Sequence, residues 1–274
     1  MLYALGELLA PVYGPFRLLR SHLFLAVAGL MVCFFLSLKL LPHFAPSLPC
    51  DRGKAYAVGG EHAKGKPTGA GLLFVSTYLI VLLVVVPWAV KYLVVMACVF
   101  VAMLFGYFDD RATHPWSEYT KGLIDLALSV IAALTLWLFQ FRDAPIWLPL
   151  VKQFIHIGPV PFVVVATGLI WLVTNAVNCT DGIDGLSGTL SIIALLSLGV
   201  LLAFVLGHAE FAAYFLLPHY PDGARWAIMA FAMVGSLCGY LWHNAYPSSL
   251  LMGDAGSRAV GLLIGILVMA TGNP

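Results

Sequence analysis

WLVTNAVNCTDGIDGLSG, residues 171–188, closes one strongly apolar run and opens the next. Asn175, Asn178, Asp181 and Asp184 recur at every third residue within it, with Gly182 and Gly185 interspersed. Amides and carboxylates at the rim of a hydrocarbon span are costly unless they have a task. Glycine lets backbone N–H groups approach a ligand closely. A helix restarting near Leu186 offers free N–H groups and the positive end of its dipole to an anion. The stretch therefore reads as a corner between two membrane spans that forms one wall of a site for a metal-bound phosphate compound. A plain helix-turn-helix corner with Asp184 as N-cap accounts for one Asp, not for two Asp and two Asn.

Outward from this corner the chain is dominated by apolar residues. Of its 274 residues 61% are apolar and 10% charged, and its mean hydropathy is +0.96. A soluble domain carries about 25% charged residues, so residues 1–274 are expected to form a single integral-membrane domain, all-α and polytopic. Residues 1–20 read as a short interfacial lead-in. Apolar runs then fall at 22–42, 69–88, 91–108, 121–141, 160–177, 186–206, 224–243 and 258–271. Each is near the ~20 residues that a spanning helix needs, the last being short. About eight transmembrane helices are expected, with the polar active-site loops on one membrane face. The run after Arg17 and Arg20 is of span length, too long for the core of a signal peptide. Cys33, Cys50, Cys98, Cys179 and Cys238 are scattered and read as small apolar residues rather than a disulfide framework. A net charge of +1 gives no sign of a nucleic-acid partner.

With eight spans, the first, third, fifth and seventh loops share one side of the bilayer. Loop 1, about 43–68, carries Asp51, Arg52, Lys54, Glu61, Lys64 and Lys66. Loop 3 follows Asp109 and Asp110, loop 5 is the 171–188 corner, and loop 7, about 244–257, contains MGDAGS at 252–257. The loops at 87–91, 142–160 and 207–223 are instead rich in Pro and aromatic residues. The difference in Lys and Arg between the two sides is too feeble to orient the chain. A cytoplasmic polar face is expected because activated phosphate donors are cytoplasmic.

GYFDD at 106–110 ends the third run. Adjacent helical residues point about 100° apart, so the two Asp cannot address the same atom. One is expected to face the site, the other to support it or to pair with Arg111 or Lys121. Acids at a helix C-terminus oppose the dipole, so the pair needs a compensating role. Asp254 in MGDAGS would alone be a turn residue, but it shares a face with the other acids. Lys64 and Lys66, among glycines in AVGGEHAKGKPTGAG (57–71), suit an anionic group and equally a solvated loop near acidic headgroups. Lys121 either snorkels to the interface or neutralises a lipid phosphate. The eight histidines form no metal pattern; His243, beside Asn244, is the one near the site. Five carboxylates on one face, with few His or Cys, favour a hard cation such as Mg²⁺. Mg²⁺ beside Lys and glycine-rich loops favours phosphate chemistry.

Together, NAVNCTDGIDGL (175–186), GYFDD (106–110), YTKGL (119–123), NAYPSSLLMGDAGS (244–257) and GKPTGAG (65–71) resemble the polyprenyl-phosphate N-acetylhexosamine-1-phosphate transferases. Thr180 before Asp181 and the KPT of loop 1 make the chain most similar to the phospho-N-acetylmuramoyl-pentapeptide transferase branch. The resemblance runs from about residue 20 to the end. It implies Mg²⁺-dependent transfer of phospho-MurNAc-pentapeptide from UDP-MurNAc-pentapeptide to undecaprenyl phosphate, giving lipid I and UMP, in the bacterial inner membrane. It further implies Asp109, Asp110 and Asp181 as catalytic residues, Asp109 acting on the lipid phosphate and Asp181 near the pyrophosphate. Asp254 with Asn178 would bind the metal. Asp184 with Asn244 would form the uridine pocket, and Asn175, Lys64, Lys66 and Lys121 would contact substrate. The family has two more helices and a His-rich motif beyond the eighth run, so the chain is expected to be incomplete at its C-terminal end relative to it. Alternatives are a UDP-GlcNAc:undecaprenyl-phosphate GlcNAc-1-phosphate transferase, a non-catalytic relative and, from the residues alone, a cation-coupled transporter. A transporter would bury its acids near mid-membrane in repeated halves, a repeat not seen here. A homodimer is a candidate assembly.

Overall fold

The computed structural model describes residues 1–51, 64–114, 116–142 and 157–272, together with the backbone of two short strands at 146–148 and 153–155. Loop-1 residues Arg52, Lys54 and Glu61, and the segment 57–63 of the glycine-rich stretch, lie outside the described residues.

A short helix α1 (Leu2–Leu9) and a 3₁₀ segment (Gly14–Arg20) lead into α2 (His22–Phe44). Then come α3 (Gly71–Val85), α4 (Val90–Arg111) and α5 (Glu118–Leu136), which widens into a π turn through Phe141. Strands β1 (Ile146–Leu148) and β2 (Gln153–Ile155) pair antiparallel, Trp147 opposite Phe154. The rest is helical: α6 (Pro159–Thr180), α7 (Leu186–Val200, widening through Leu206), α8 (Ala209–Tyr214), α9 (Gly223–Asn244) and α10 (Gly253–Ala270). The protein is an all-α polytopic membrane protein with, among the described residues, one small antiparallel strand pair. Seven of the described helices are long and apolar enough to cross a bilayer. The eighth expected span, 69–88, forms a helix of only 15 residues. It stops where Val86 turns extended ahead of Pro87, because the proline ring disfavours helical geometry in the residue before it. Ser21 and Ser117 start α2 and α5 by accepting from the amides of Phe24 (3.4 Å) and Thr120 (3.2 Å).

Burial runs against hydropathy. The span Leu186–Leu206 has a hydropathy of 2.6 and is 28% buried, whereas α10 has 1.4 and is 83% buried. In water the more apolar helix would be inside. Here the polar and small residues are inside, as expected where lipid is the solvent. Glycine permits the tight central contacts. A Cβ on Gly235 of α9 would lie 2.1 Å from Leu30 O of α2, and one on Gly265 of α10 would lie 2.9 Å from Ile170 Cα of α6. The four chemically rich loops meet at one end of this bundle. GKPTGAG and loop 7 are joined backbone to backbone: Leu251 N donates to Pro67 O (2.8 Å), Ala70 N to Leu251 O (3.1 Å) and Gly71 N to Met252 O (3.0 Å).

Candidate active site

The N-terminus of α10 is the centre of this end. Gly253 enters the helix with φ +71°, and a Cβ there would lie 2.4 Å from Asp110 Oδ2. A Cβ on Gly71 would lie 2.0 Å from Gly256 N, so α3 meets α10 at backbone distance. Asp110, at the end of α4, accepts from Asp254 N through Oδ1 (2.9 Å) and from Ala255 N through Oδ2 (3.1 Å). Its charge thus lies at the positive end of a neighbouring helix, which offsets its poor position on its own. Asp110 is thereby tied to the backbone that carries Asp254.

Asp109, turned away from Asp110, accepts from Trp116 N through Oδ1 (2.7 Å) and pairs with Lys121 Nζ through Oδ2 (2.7 Å). The same ammonium lies 3.3 Å from Asp254 Oδ2 and 3.5 Å from the exposed Glu118. Lys121 therefore turns inward onto carboxylates instead of snorkelling to the interface. Two Asp at the bundle end offer its charge a better partner than headgroup water. Asp254 Oδ2 also accepts from Arg258 Nε (3.2 Å), and Oδ1 accepts from Asn178 Nδ2 (3.1 Å). Asn178 donates to Ser257 Oγ as well (2.9 Å). Arg258 continues to Asp125, with which it forms an ion pair buried on both sides. A small cleft at this point is lined by Phe105, Trp116 and Ile124 beside Asp109, Lys121, Asp125 and Arg258.

A second cluster joins loops 1, 5 and 7. Asp184 Oδ2 accepts from Ser248 N (3.1 Å) and lies 3.5 Å from Lys66 Nζ, which donates to Ser248 Oγ (2.8 Å). Asp184 does not cap α7; its N-cap is Gly185, in the left-handed conformation at φ 75°. Buried Asn244 accepts from Gly185 N (2.9 Å) and donates to Leu250 O (2.9 Å), tying loop 5 to loop 7. Burial alone would raise the Asp184 carboxyl, but the Ser248 hydroxyl and amide, with Lys66, outweigh it and hold it below the usual carboxylate range. A depressed carboxylate stabilises the fold above its unfolded pKa, and the contribution vanishes as pH falls through the lower, folded value. The Ser248 amide is therefore expected to keep its hydrogen-exchange protection at neutral pH and down to about pH 4, and to lose it at lower pH. In Asp184→Ala the protection should be low at every pH.

Asp181, half-buried, ends α6 three residues beyond Asn178, on the same end of the bundle. Asn175 donates back to Trp171 O (2.8 Å), and Lys64 is exposed. The structure thus brings Asp109, Asp110, Lys121, Asn178 and Asp254 into one cluster and Lys66, Asp184 and Asn244 into another beside it. Sequence reasoning missed Asp125 and Arg258. The available signal was spacing: each lies four residues into a span after a charged residue, Lys121–Asp125 and Asp254–Arg258, which puts both on the site-facing side of their helices.

The donor chemistry suits a hard divalent cation. Asp109, Asp110, Asp125 and Asp254 face Lys121 and Arg258, which leaves the cluster formally two negative charges in excess. The Lys121 ammonium, shared by Asp109 and Asp254, already stands where a cation is held between carboxylates. Among the described residues, no three His, Cys, Asp or Glu form a ready-made cage. Mg²⁺ needs none, because it keeps water and binds through one or two carboxylates plus substrate phosphates. Asn178 presents its nitrogen, not its carbonyl oxygen, to Asp254.

The structure is thus an integral-membrane helical bundle with an acidic cluster bridged by Lys121 at one end. Residues 92–272 match the family model of glycosyl transferase family 4. The chain is 43% identical over 263 residues to the phospho-N-acetylmuramoyl-pentapeptide-transferase of Treponema pallidum strain Nichols, covering 96% of this chain and 72% of that protein. It is 32% identical to the protein of that name from Helicobacter pylori strain J99 (95% and 76% covered) and 28% identical to that from Aquifex aeolicus (99% and 79%). The chain belongs to the phospho-N-acetylmuramoyl-pentapeptide-transferase family and is a phosphoglycosyl transferase.

Proposed function

We propose that the protein transfers phospho-MurNAc-pentapeptide from UDP-MurNAc-pentapeptide to undecaprenyl phosphate, producing lipid I and UMP, at the cytoplasmic face of a bacterial inner membrane. The observation that carries this reading is the Lys121 ammonium held between Asp109 and Asp254 at the bundle end. The names of the relatives supply the sugar and peptide.

The reaction exchanges one phosphoanhydride for another. An oxygen of the lipid phosphate attacks the sugar-bearing phosphorus of the donor, the bond to the bridging oxygen breaks, and UMP leaves. Little net energy is at stake, so the barrier lies in bringing two anions together and aligning them. Lys121 is a flexible point charge, and it passes from the carboxylates to the incoming phosphate. Asp109, fixed by Trp116 N, keeps that phosphate ionised and in line. Asp181 lies near the pyrophosphate. Lys66, Asp184, Ser248 and Asn244 form the wall for the uridine end, with Lys64 and Asn175 at its edge. Asp254, with Asn178 donating to its Oδ1, would hold Mg²⁺, which would supply neutralisation of the donor diphosphate.

Purified protein given UDP-MurNAc-pentapeptide, undecaprenyl phosphate and Mg²⁺ should release UMP, and chelation by EDTA should stop it. No UMP with this donor, but UMP with UDP-GlcNAc, would overturn the choice of sugar. Release at full rate in EDTA would overturn the metal.

A further inference from the structure

We infer that the buried Asp125–Arg258 pair is a positioning device that fixes the Asp254 carboxylate for divalent-cation binding. The inference rests on the proposed role of Asp254 as the metal-holding carboxylate. Arg258 is 5% exposed and Asp125 2%. Both lie one helical turn beyond the site, within membrane-spanning segments. An ion pair there is poor value for stability alone, because well-packed apolar side chains of similar volume do as well or better. Charges inside spans mark function by default.

The geometry gives the function. Arg258 uses two different nitrogens: Nε donates to Asp254 Oδ2 (3.2 Å) while Nη1 is held by Asp125. A planar guanidinium anchored at one end cannot rotate freely at the other. Asp254 Oδ2 has a second donor, Lys121 Nζ at 3.3 Å. Lys121 is single-pointed and can leave for substrate. Arg258, tethered to Asp125, stays. One lone pair of Oδ2 is thereby permanently committed and the carboxylate plane is set, with Asn178 fixing Oδ1. Asp125 also cancels the guanidinium charge, so Asp254 is oriented without being neutralised. Partners of this kind orient metal ligands, and their loss costs about 10- to 100-fold in metal affinity.

Charge and orientation make opposite demands on variants, which allows a test. Asp125→Leu/Arg258→Leu removes one negative and one positive charge together and fills the space with apolar side chains. Mn²⁺ binding to the purified full chain, without substrates, is followed from the free-ion EPR signal. The double variant should retain its thermal midpoint and bind Mn²⁺ about 10- to 100-fold more weakly. Arg258→Lys keeps the charge but replaces the planar, two-nitrogen fork with a rotatable point charge that no longer fixes the carboxylate plane, so it should weaken binding similarly. It carries the test if the double variant does not fold. Wild-type affinity in a folded variant overturns the positioning role and leaves the proposed function standing. A wild-type protein that binds no Mn²⁺ overturns both this role and Asp254 as the metal carboxylate.

Discussion

Asp254→Asn is expected to lower turnover by at least ~10³-fold while the bundle stays folded. The substitution preserves shape, so α10 still begins at Gly253 and its amides still donate to Asp110. It removes the charge that three donors share: Lys121 at 3.3 Å, Arg258 at 3.2 Å and Asn178 at 3.1 Å. An amide cannot accept from all three, and the excess negative charge of the cluster is halved. Electrostatic stabilisation of a transferring phosphoryl group is the main thing such a site supplies. At 1.36 kcal/mol per tenfold, a loss of ~4 kcal/mol corresponds to the stated factor. UMP release under saturating donor and acceptor measures it, with a thermal midpoint as the control for folding. Raising Mg²⁺ should not restore turnover. Activity within tenfold of wild type would remove Asp254 from the centre of the mechanism.

The architecture was readable in the sequence because a bilayer imposes one length on every crossing element. Seven of eight apolar runs became full-length spans, and Pro87 cut the other short. Counting spans then sorted the loops, so loops 1, 3, 5 and 7 were expected together before any contact was known. What hydropathy could not show was how the acids divide their work. Neighbours 100° apart must diverge, but nothing in GYFDD says that Asp110 caps α10 and Asp109 meets Lys121. That assignment depends on α10 starting beside the end of α4, a tertiary fact. Asp125 and Arg258 were masked because one charge barely alters the mean of a long apolar run. The paired strands 146–148 and 153–155 are too short to carry a periodic signal. A pairing of Lys121 with one Asp of GYFDD, 12 residues away, was legible, but its second partner Asp254, 133 residues away, was not.

The closest backbone approach to Asp254 predicts the second large effect. A Cβ on Gly106 would lie 2.4 Å from both the carbonyl carbon and oxygen of Asp254 and 2.5 Å from Ala255 N. All three are backbone atoms at the start of α10, so no rotamer change relieves the contact. Gly106→Ala must push α4 away from α10 at the point where Asp110 caps it and Lys121 bridges Asp109 to Asp254. Overpacking of this kind costs about 1–3 kcal/mol or more. A displacement near 1 Å in an aligned site costs about 100-fold in rate. The variant should therefore lose about 100-fold in UMP release and melt several degrees lower, about 2–4 °C per kcal/mol for a chain of this size. Gly168→Ala supplies the contrast. Its added Cβ meets nothing within 4 Å, and alanine favours a helix interior by about 1 kcal/mol over glycine. It should leave turnover unchanged and the midpoint equal or higher. Equal behaviour of the two variants would mean that the packing of α4 on α10 does not set the geometry of the site.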